Sequence, residues 1–230
     1  MASKHAIDAH GKFVVALSGG STPRRMYELL ALQPRARRVN WSRVHVVWGD
    51  ERCVPPDNAD SNFRMAHEAL LDHVPIPATN VHRVHGEDDP VAAAASYEST
   101  LRTLFETQNG PPASAPGKNI DLALLGLGDN GHTASIFPES AAASEQSRWV
   151  MAEYVPVVSM WRVTLTAPIL NAAAEVLFLV AGGDKADVLQ RVLEGPRVSR
   201  ELPAQLIAPA PGRIHWLADD AAAAKLAKRS

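Results

Sequence analysis

GLGDNGHTASIFP, residues 126–138, follows the largely apolar run IDLALL, residues 120–125. The run reads as a buried strand. The polar stretch behind it places three glycines (Gly126, Gly128, Gly131), an acid, an amide and a histidine within seven residues. Glycines allow positive φ and let the backbone come close to a ligand. A polar loop leaving the C-terminal end of a buried strand is where open α/β sheets hold their ligands. His132 at such a rim is a titratable ring near neutrality, suited to act as a general base.

Further runs of strand length surround this one: Phe13–Leu17, Val44–Trp48, and residues 161–165, 176–180 and 214–217. Several are apolar throughout, which suits strands buried on both faces of a parallel sheet. Helical patterns lie between them. Asp89-Pro90 is a cap followed by proline at the first helical position, and Tyr97, Leu101, Leu104 and Phe105 then fall on one helical face. Glu98 and Arg102 form an i,i+4 pair. A second helix is expected from Asp184 to a stop at Gly195-Pro196, with Val188, Leu189, Val192 and Leu193 on one face. The Ala-rich residues 92–95 and 221–224 read as helix, and residues 108–118 (QNGPPASAPGK) as a loop. Alternating strands and helices give an α/β class, a mostly parallel sheet with helices on both faces.

Composition narrows the function. Of 230 residues, 46% are hydrophobic and 21% charged, ordinary for a globular domain. A formal charge of −2 gives no reason to expect nucleic acid or an anionic membrane as partner. No apolar run nears the ~20 residues that span a bilayer, and no signal-peptide pattern opens the chain, so a cytoplasmic location is expected. The single cysteine, Cys53, excludes an internal disulfide and a cysteine-based zinc cluster. It reads as a small packing residue.

Three more loops follow strands. SGGSTP, residues 18–23, offers Ser18, Gly19, Gly20, Ser21 and Thr22 at a helix start, where backbone N–H groups can cradle an anion. It matches neither the Walker P-loop nor G-x-G-x-x-G, and is also readable as a tight turn with a Ser/Thr cap. WGDERCVPP, residues 48–56, brings Arg52, able to grip phosphate or carboxylate with two N–H groups. Its acids Asp50 and Glu51 can orient hydroxyls or move protons, or form a local ion pair in a solvated loop. GGDKA, residues 182–186, puts Lys185 in a first helical turn, unfavourable near the positive helix end unless an anion lies between. His82-x-x-His85 has no evident third metal ligand. Arg35, Arg37, Arg38 and Arg43 lack interleaved aromatics and read as a solvated face. In a parallel sheet the four loops would share one edge. Together they fit a small phosphorylated ligand and proton chemistry at neutral pH.

The runs LSGGSTPRRMYELL, WGDERCVPPDNADSNFRMA, LLGLGDNGHTASIFP, RVTLTAPILNAA and FLVAGGDKADVL, in that order, resemble the 6-phosphogluconolactonases of the sugar-phosphate isomerase/deaminase-like superfamily. The resemblance implies a Rossmann-like three-layer fold and hydrolysis of 6-phospho-D-glucono-1,5-lactone in the pentose phosphate pathway. It makes His132 the general base that activates water. It gives Arg52 and Lys185 to the phosphate or lactone, and Ser18, Gly19, Gly20, Ser21, Thr22 and Gly131 to the ligand-binding turns. It makes Asp50, Asn62 and Arg162 site-lining positions. The family requires no metal, and no cofactor is expected. The partner implied is the sugar-phosphate lactone alone, with no nucleic acid or membrane, bound by a monomer or weak homo-oligomer.

Two departures stand out. Where the family often has Asp before the glycine matched by Gly131, this chain has Asn130, which would orient the histidine as a neutral group. Relatives carry a strand and helix before the position of Phe13. About a dozen residues precede it here, so a single domain over residues 1–230 lacking that strand and helix is expected. The related glucosamine-6-phosphate deaminases have a catalytic Glu five residues after the histidine; Phe137 stands there in this chain.

Overall fold

The computed structural model describes residues 2–106, 115 and 118–227. The loop expected over residues 108–118 therefore lies for the most part outside the described residues. Five strands form a parallel sheet: β1 (Phe13–Leu17), β2 (Val44–Trp48), β4 (Leu122–Gly126), β7 (Glu175–Val180) and β8 (Arg213–Ala218), in the order β2-β1-β4-β7-β8. β1 and β2 have the bounds read from their apolar runs. The strand order reverses direction between β1 and β4, which makes the gap above these two strands the topological switch point.

Side-chain alternation assigns the sheet two cores. Val14, Ala16, Val47, Ala123, Leu125, Val176 and Phe178 face one side. They pack there with Tyr97, Leu101 and Phe105 from the end of helix α4 (Pro90–Leu104), Ile169 and Leu170 of α5 (Ala167–Asn171), and Val188 and Leu189 of α6 (Ala186–Glu194). Phe13, Val15, Leu17, Val44, Val46, Trp48 and Leu124 face the other. They meet α1 (Ala2–His10), Tyr27 of α2 (Ser21–Ala31), and Ala66 and Ala69 of α3 (Asn62–Ala69). Successive strand residues point to opposite faces, so each strand feeds both layers. The Asp89 carboxylate accepts from Val91 N and Ala92 N, and Pro90 opens α4 as its sequence implies.

Several sequence expectations change. Residues 161–165 are not in the parallel sheet. They belong to β6 (Met160–Leu165), the centre of an antiparallel sheet β3-β6-β5, with β3 at Asp50–Arg52 and β5 at Val150–Val155. β3 is three consecutive charged residues and carries no strand pattern; its pairing to β6 alone makes it a strand. Residues 221–224 are turns rather than helix. The second predicted helix begins at Ala186, preceded by a 3-10 turn at Gly183–Lys185. The stretch ahead of Phe13, where no element was read, is α1. It is tied to the sheet by His10 Nε2, 3.0 Å from buried Asp121 Oδ1, while Asp121 Oδ2 accepts from Val14 N at 2.7 Å.

Candidate active site

The four loops singled out in the sequence do leave the C-terminal ends of four neighbouring strands, β2, β1, β4 and β7, along one sheet edge. They enclose a cavity of about 330 Å³. Its lining includes Ser18, Gly19, Gly20, Asp50, Arg52, Asn62, His132, Arg162 and Lys185, together with residues 126–129. Ser21 and Thr22 form the first turn of α2 behind the glycines, and Asn130 and Gly131 stand one step back from the cavity.

The turn after β1 is fixed from below. Buried Tyr27 accepts from Ser18 N at 3.0 Å and donates to Ser18 O at 2.9 Å. No Ser/Thr cap covers α2; its N-cap is Gly20 and no side chain caps it. The free N–H groups of that helix end are thus left for an anion. A Cβ at Gly19 would overlap the Asn62 amide, so only glycine lets the turn approach this side chain. Asn62 is held by donating Nδ2–H to Asp50 O at 2.9 Å.

The loop after β4 holds His132 in one state. Asn130 Oδ1 lies 3.1 Å from His132 N and 2.6 Å from His132 Nδ1. A backbone N–H can only donate, so the atom facing it is the amide oxygen, an acceptor. The same oxygen then requires a proton on Nδ1, which leaves Nε2 with the lone pair. The ring stacks on Phe137 with centroids 4.2 Å apart. Burial lowers the His132 pKa below the usual 6.5; Asp50 and Asp129 oppose this, while Arg162 and Lys185 add to it. The ring is therefore neutral at neutral pH.

The small antiparallel sheet supplies the cationic wall. Arg52 and Arg162 are direct cross-strand partners, an arrangement that repels unless an anion lies between them. Both have a buried Nε with no hydrogen-bond partner. The Arg52 guanidinium is aimed by a bond from Nη1 to Asp60 O. Arg162 Nη1 lies 3.8 Å from Asp50 Oδ2 and 3.4 Å from Ser135 Oγ. Ser135 Oγ in turn donates to Asp50 Oδ2 at 2.7 Å. Ser135 was not singled out from the sequence. Serine within ASIF carries no local signal, and its partner Asp50 is 85 residues away.

Glu51, read as a sugar-orienting or proton-transfer candidate, turns away from the cavity. It is 2% exposed. Its carboxylate accepts from the backbone N–H groups of Arg52, Asn62 and Phe63 and from Ser61 Oγ, at 2.7–3.1 Å. Burial pushes its pKa up while these four donors hold it down. It fastens the loop that carries Arg52 to the start of α3. Burial likewise raises the Cys53 thiol to about 11, as suits a packing residue. His82 pairs with His45 at 3.1 Å rather than with His85. No group of three metal-ligating side chains occurs among the described residues.

Residues 1–216 match the family model described as glucosamine-6-phosphate isomerases/6-phosphogluconolactonase. The chain belongs to that family. It is similar to a 6-phosphogluconolactonase of a Nostoc species, 42% identical over 96% of this chain and 88% of the relative. Its fold follows the crystal structure of 6-phosphogluconolactonase from Thermotoga maritima, with a TM-score of 0.79 and 32% identity over 95% of this chain and 90% of that one. A monomeric glucosamine-6-phosphate deaminase shares the fold at a TM-score of 0.76 and 22% identity, covering 97% of this chain and 93% of that one. Members of this family and this wider fold thus share the mostly parallel sheet. In this family member no helix among the described residues is long and apolar enough to cross a membrane.

Proposed function

We propose that this chain hydrolyses 6-phospho-D-glucono-1,5-lactone to 6-phospho-D-gluconate, a reaction of the pentose phosphate pathway. The observation that carries the reading is His132, held neutral with Nε2 free, in one cavity with Arg52, Arg162, Lys185 and the uncapped end of α2. The 6-phosphogluconolactonases among its relatives supply the substrate.

In this reading the anionic phosphate is taken by cationic side chains and by the Gly19–Gly20 turn. His132 Nε2 removes a proton from water as the oxygen attacks the lactone carbonyl. The tetrahedral intermediate collapses by breaking the ring C–O bond, and Nε2–H returns the proton to that oxygen. Asp50, braced by Ser135, stabilises the imidazolium between these steps. Asn130 positions the ring. Positioned base catalysis contributes about 10²–10⁴-fold. The site residues serve one domain over residues 1–230, cytoplasmic and monomeric or weakly self-associating, with no metal or cofactor in the steps. Phe137 weighs against a deaminase: it puts an aromatic ring against His132 where that chemistry wants a carboxylate.

The test is the disappearance of freshly made lactone, corrected for its spontaneous hydrolysis, with wild type and His132→Ala. Turnover by wild type and a loss of about 10²–10⁴-fold in the variant is expected. Full turnover by the variant would remove His132 from its role, and none by wild type would refute the activity.

A further inference from the structure

Two buried tyrosines hold the chain where the site loops leave the sheet. Tyr27 of α2 reaches Ser18, the first residue after β1. Its hydroxyl accepts from Ser18 N at 3.0 Å and donates to Ser18 O at 2.9 Å. Tyr97 of α4 does the same to Trp48, the last residue of β2, accepting from Trp48 N at 2.6 Å and donating to Trp48 O at 3.1 Å. The two residues are 1% and 3% exposed and lie in opposite cores, so they close on neighbouring strand ends from both faces of the sheet. Burial raises the pKa of each phenol. Each stays protonated, and only a protonated phenol can serve an N–H and a C=O at once. The two clamps support different loops. Ser18 opens the turn with Gly19 and Gly20 beside the uncapped start of α2. Trp48 stands at the joint between the two sheets. The next residue, Gly49, donates its N–H to Leu17 O at 2.9 Å and accepts from Leu165 N at 2.8 Å, and Asp50 and Arg52 follow on β3.

We propose that Tyr27 and Tyr97 are positioning residues with separate tasks: Tyr27 presets the backbone turn that receives the substrate's anion, and Tyr97 fixes the joint from which Asp50 meets His132. Neither phenol lines the cavity, so each acts through the backbone it holds. The kinetic part rests on the lactonase reading. Without the Tyr27 hydroxyl, the N–H and C=O of buried Ser18 lose their partner, and the turn must move to find another. That cost falls on anion binding, in ground state and transition state alike, which raises KM and spares kcat. Without the Tyr97 hydroxyl the joint shifts and carries Asp50 with it. Asp50 acts on the imidazolium that forms during the reaction, so its displacement lowers kcat. It also moves the acid limb of kcat/KM. Asp50 and Asp129 raise the His132 pKa, while Arg162 and Lys185 lower it; a more distant Asp50 leaves it lower still.

The experiment compares Tyr27→Phe, Tyr97→Phe and Ile169→Val, a core variant in α5 away from the cavity. Steady-state kinetics on fresh lactone is read beside calorimetric binding of 6-phosphogluconate. Tyr27→Phe should raise KM and the Kd of 6-phosphogluconate about tenfold, the worth of one hydrogen bond, and leave kcat and the acid limb in place. Tyr97→Phe should lower kcat by about 10–10²-fold and move the acid limb to lower pH. Ile169→Val should lower the unfolding midpoint and leave both kinetic constants alone. The same pattern in both tyrosine variants, unchanged constants in either, or a similar loss in Ile169→Val would overturn the proposal and leave the tyrosines with stability alone. Amide hydrogen exchange on the unliganded wild-type chain gives a reading that needs no variant to fold. The Ser18 and Trp48 N–H groups should exchange as slowly as the amides within β1. A Ser18 N–H that exchanges freely until 6-phosphogluconate is added would mean that the ligand makes the turn, and would also overturn the proposal. Wild type without turnover defeats the lactonase reading, and the exchange measurement still decides whether the turns are preset.

Discussion

Asn130 Oδ1 receives both the backbone N–H and the ring Nδ1–H of His132, so one neutral acceptor sets the tautomer. A protonated imidazole cannot act as a base. Because burial lowers the His132 pKa, the neutral form persists below the ordinary value of about 6.5. kcat/KM should hold level from pH 8 down past that value and fall only at lower pH. A profile whose acid limb lies above 6.5 would contradict the burial of this ring. Asn130→Asp adds a negative charge beside the imidazolium and should move the acid limb upward. It should not raise kcat by ~10³ or more; such a gain would mean that the neutral amide is a defective partner. Gly128 gives a steric test of the same residue. A Cβ there would run into the His132 ring. Gly128→Ala should therefore lower kcat by about 10²-fold, the usual consequence of displacing a reacting group by an ångström, with little change in stability measured by urea.

Element by element, the pieces with local signals were legible and those without were not. β1 and β2 were bounded correctly because each is an unbroken apolar run. α4 was legible because Asp89 and Pro90 mark its start and a 3.6-residue stripe fills its face. Asp89 satisfies two of the orphan N–H groups of that helix, so Asp89→Ala should cost about 1 kcal/mol in unfolding free energy. Chemical denaturation would read this as a lower midpoint with an unchanged slope. β3 and β5 were missed for a physical reason. Asp-Glu-Arg has no apolar alternation, and β5 shows no clean alternation either, with Val150 and Val155 buried and Tyr154 exposed. Residues 161–165 looked like the strands of the parallel sheet, yet became the middle of the antiparallel one. Strand propensity is the same in both, and only the partner strand differs.

On the scale of the whole molecule, the site exists because two sheets meet. The parallel sheet brings the turns with Gly19, His132 and Lys185 to one edge, and the antiparallel sheet sets Arg52 opposite Arg162. An anion that bridges the two should couple them and stabilise the fold by mass action. At 100 times its Kd, 6-phosphogluconate should add about 2.7 kcal/mol, a rise in Tm of roughly 5–11 °C for a chain of this size. Arg162→Ala should remove most of that rise while leaving catalysis-independent probes of the β1–β2 core unchanged. A full rise in the variant would place the anion elsewhere.

The sequence by itself determined the α/β class, two of the strand spans in full, and the edge on which the polar loops gather. Each follows from short-range physics: apolar runs, turn glycines and the shared direction of parallel strands. Tertiary structure alone decided that Glu51 is a buried clamp rather than a site acid, that Ser135 braces Asp50, and that Arg162 faces Arg52 from a second sheet. Those choices depend on packing between segments far apart in the chain. No local pattern of residues encodes which distant hydrogen-bond donor will meet a buried carboxylate.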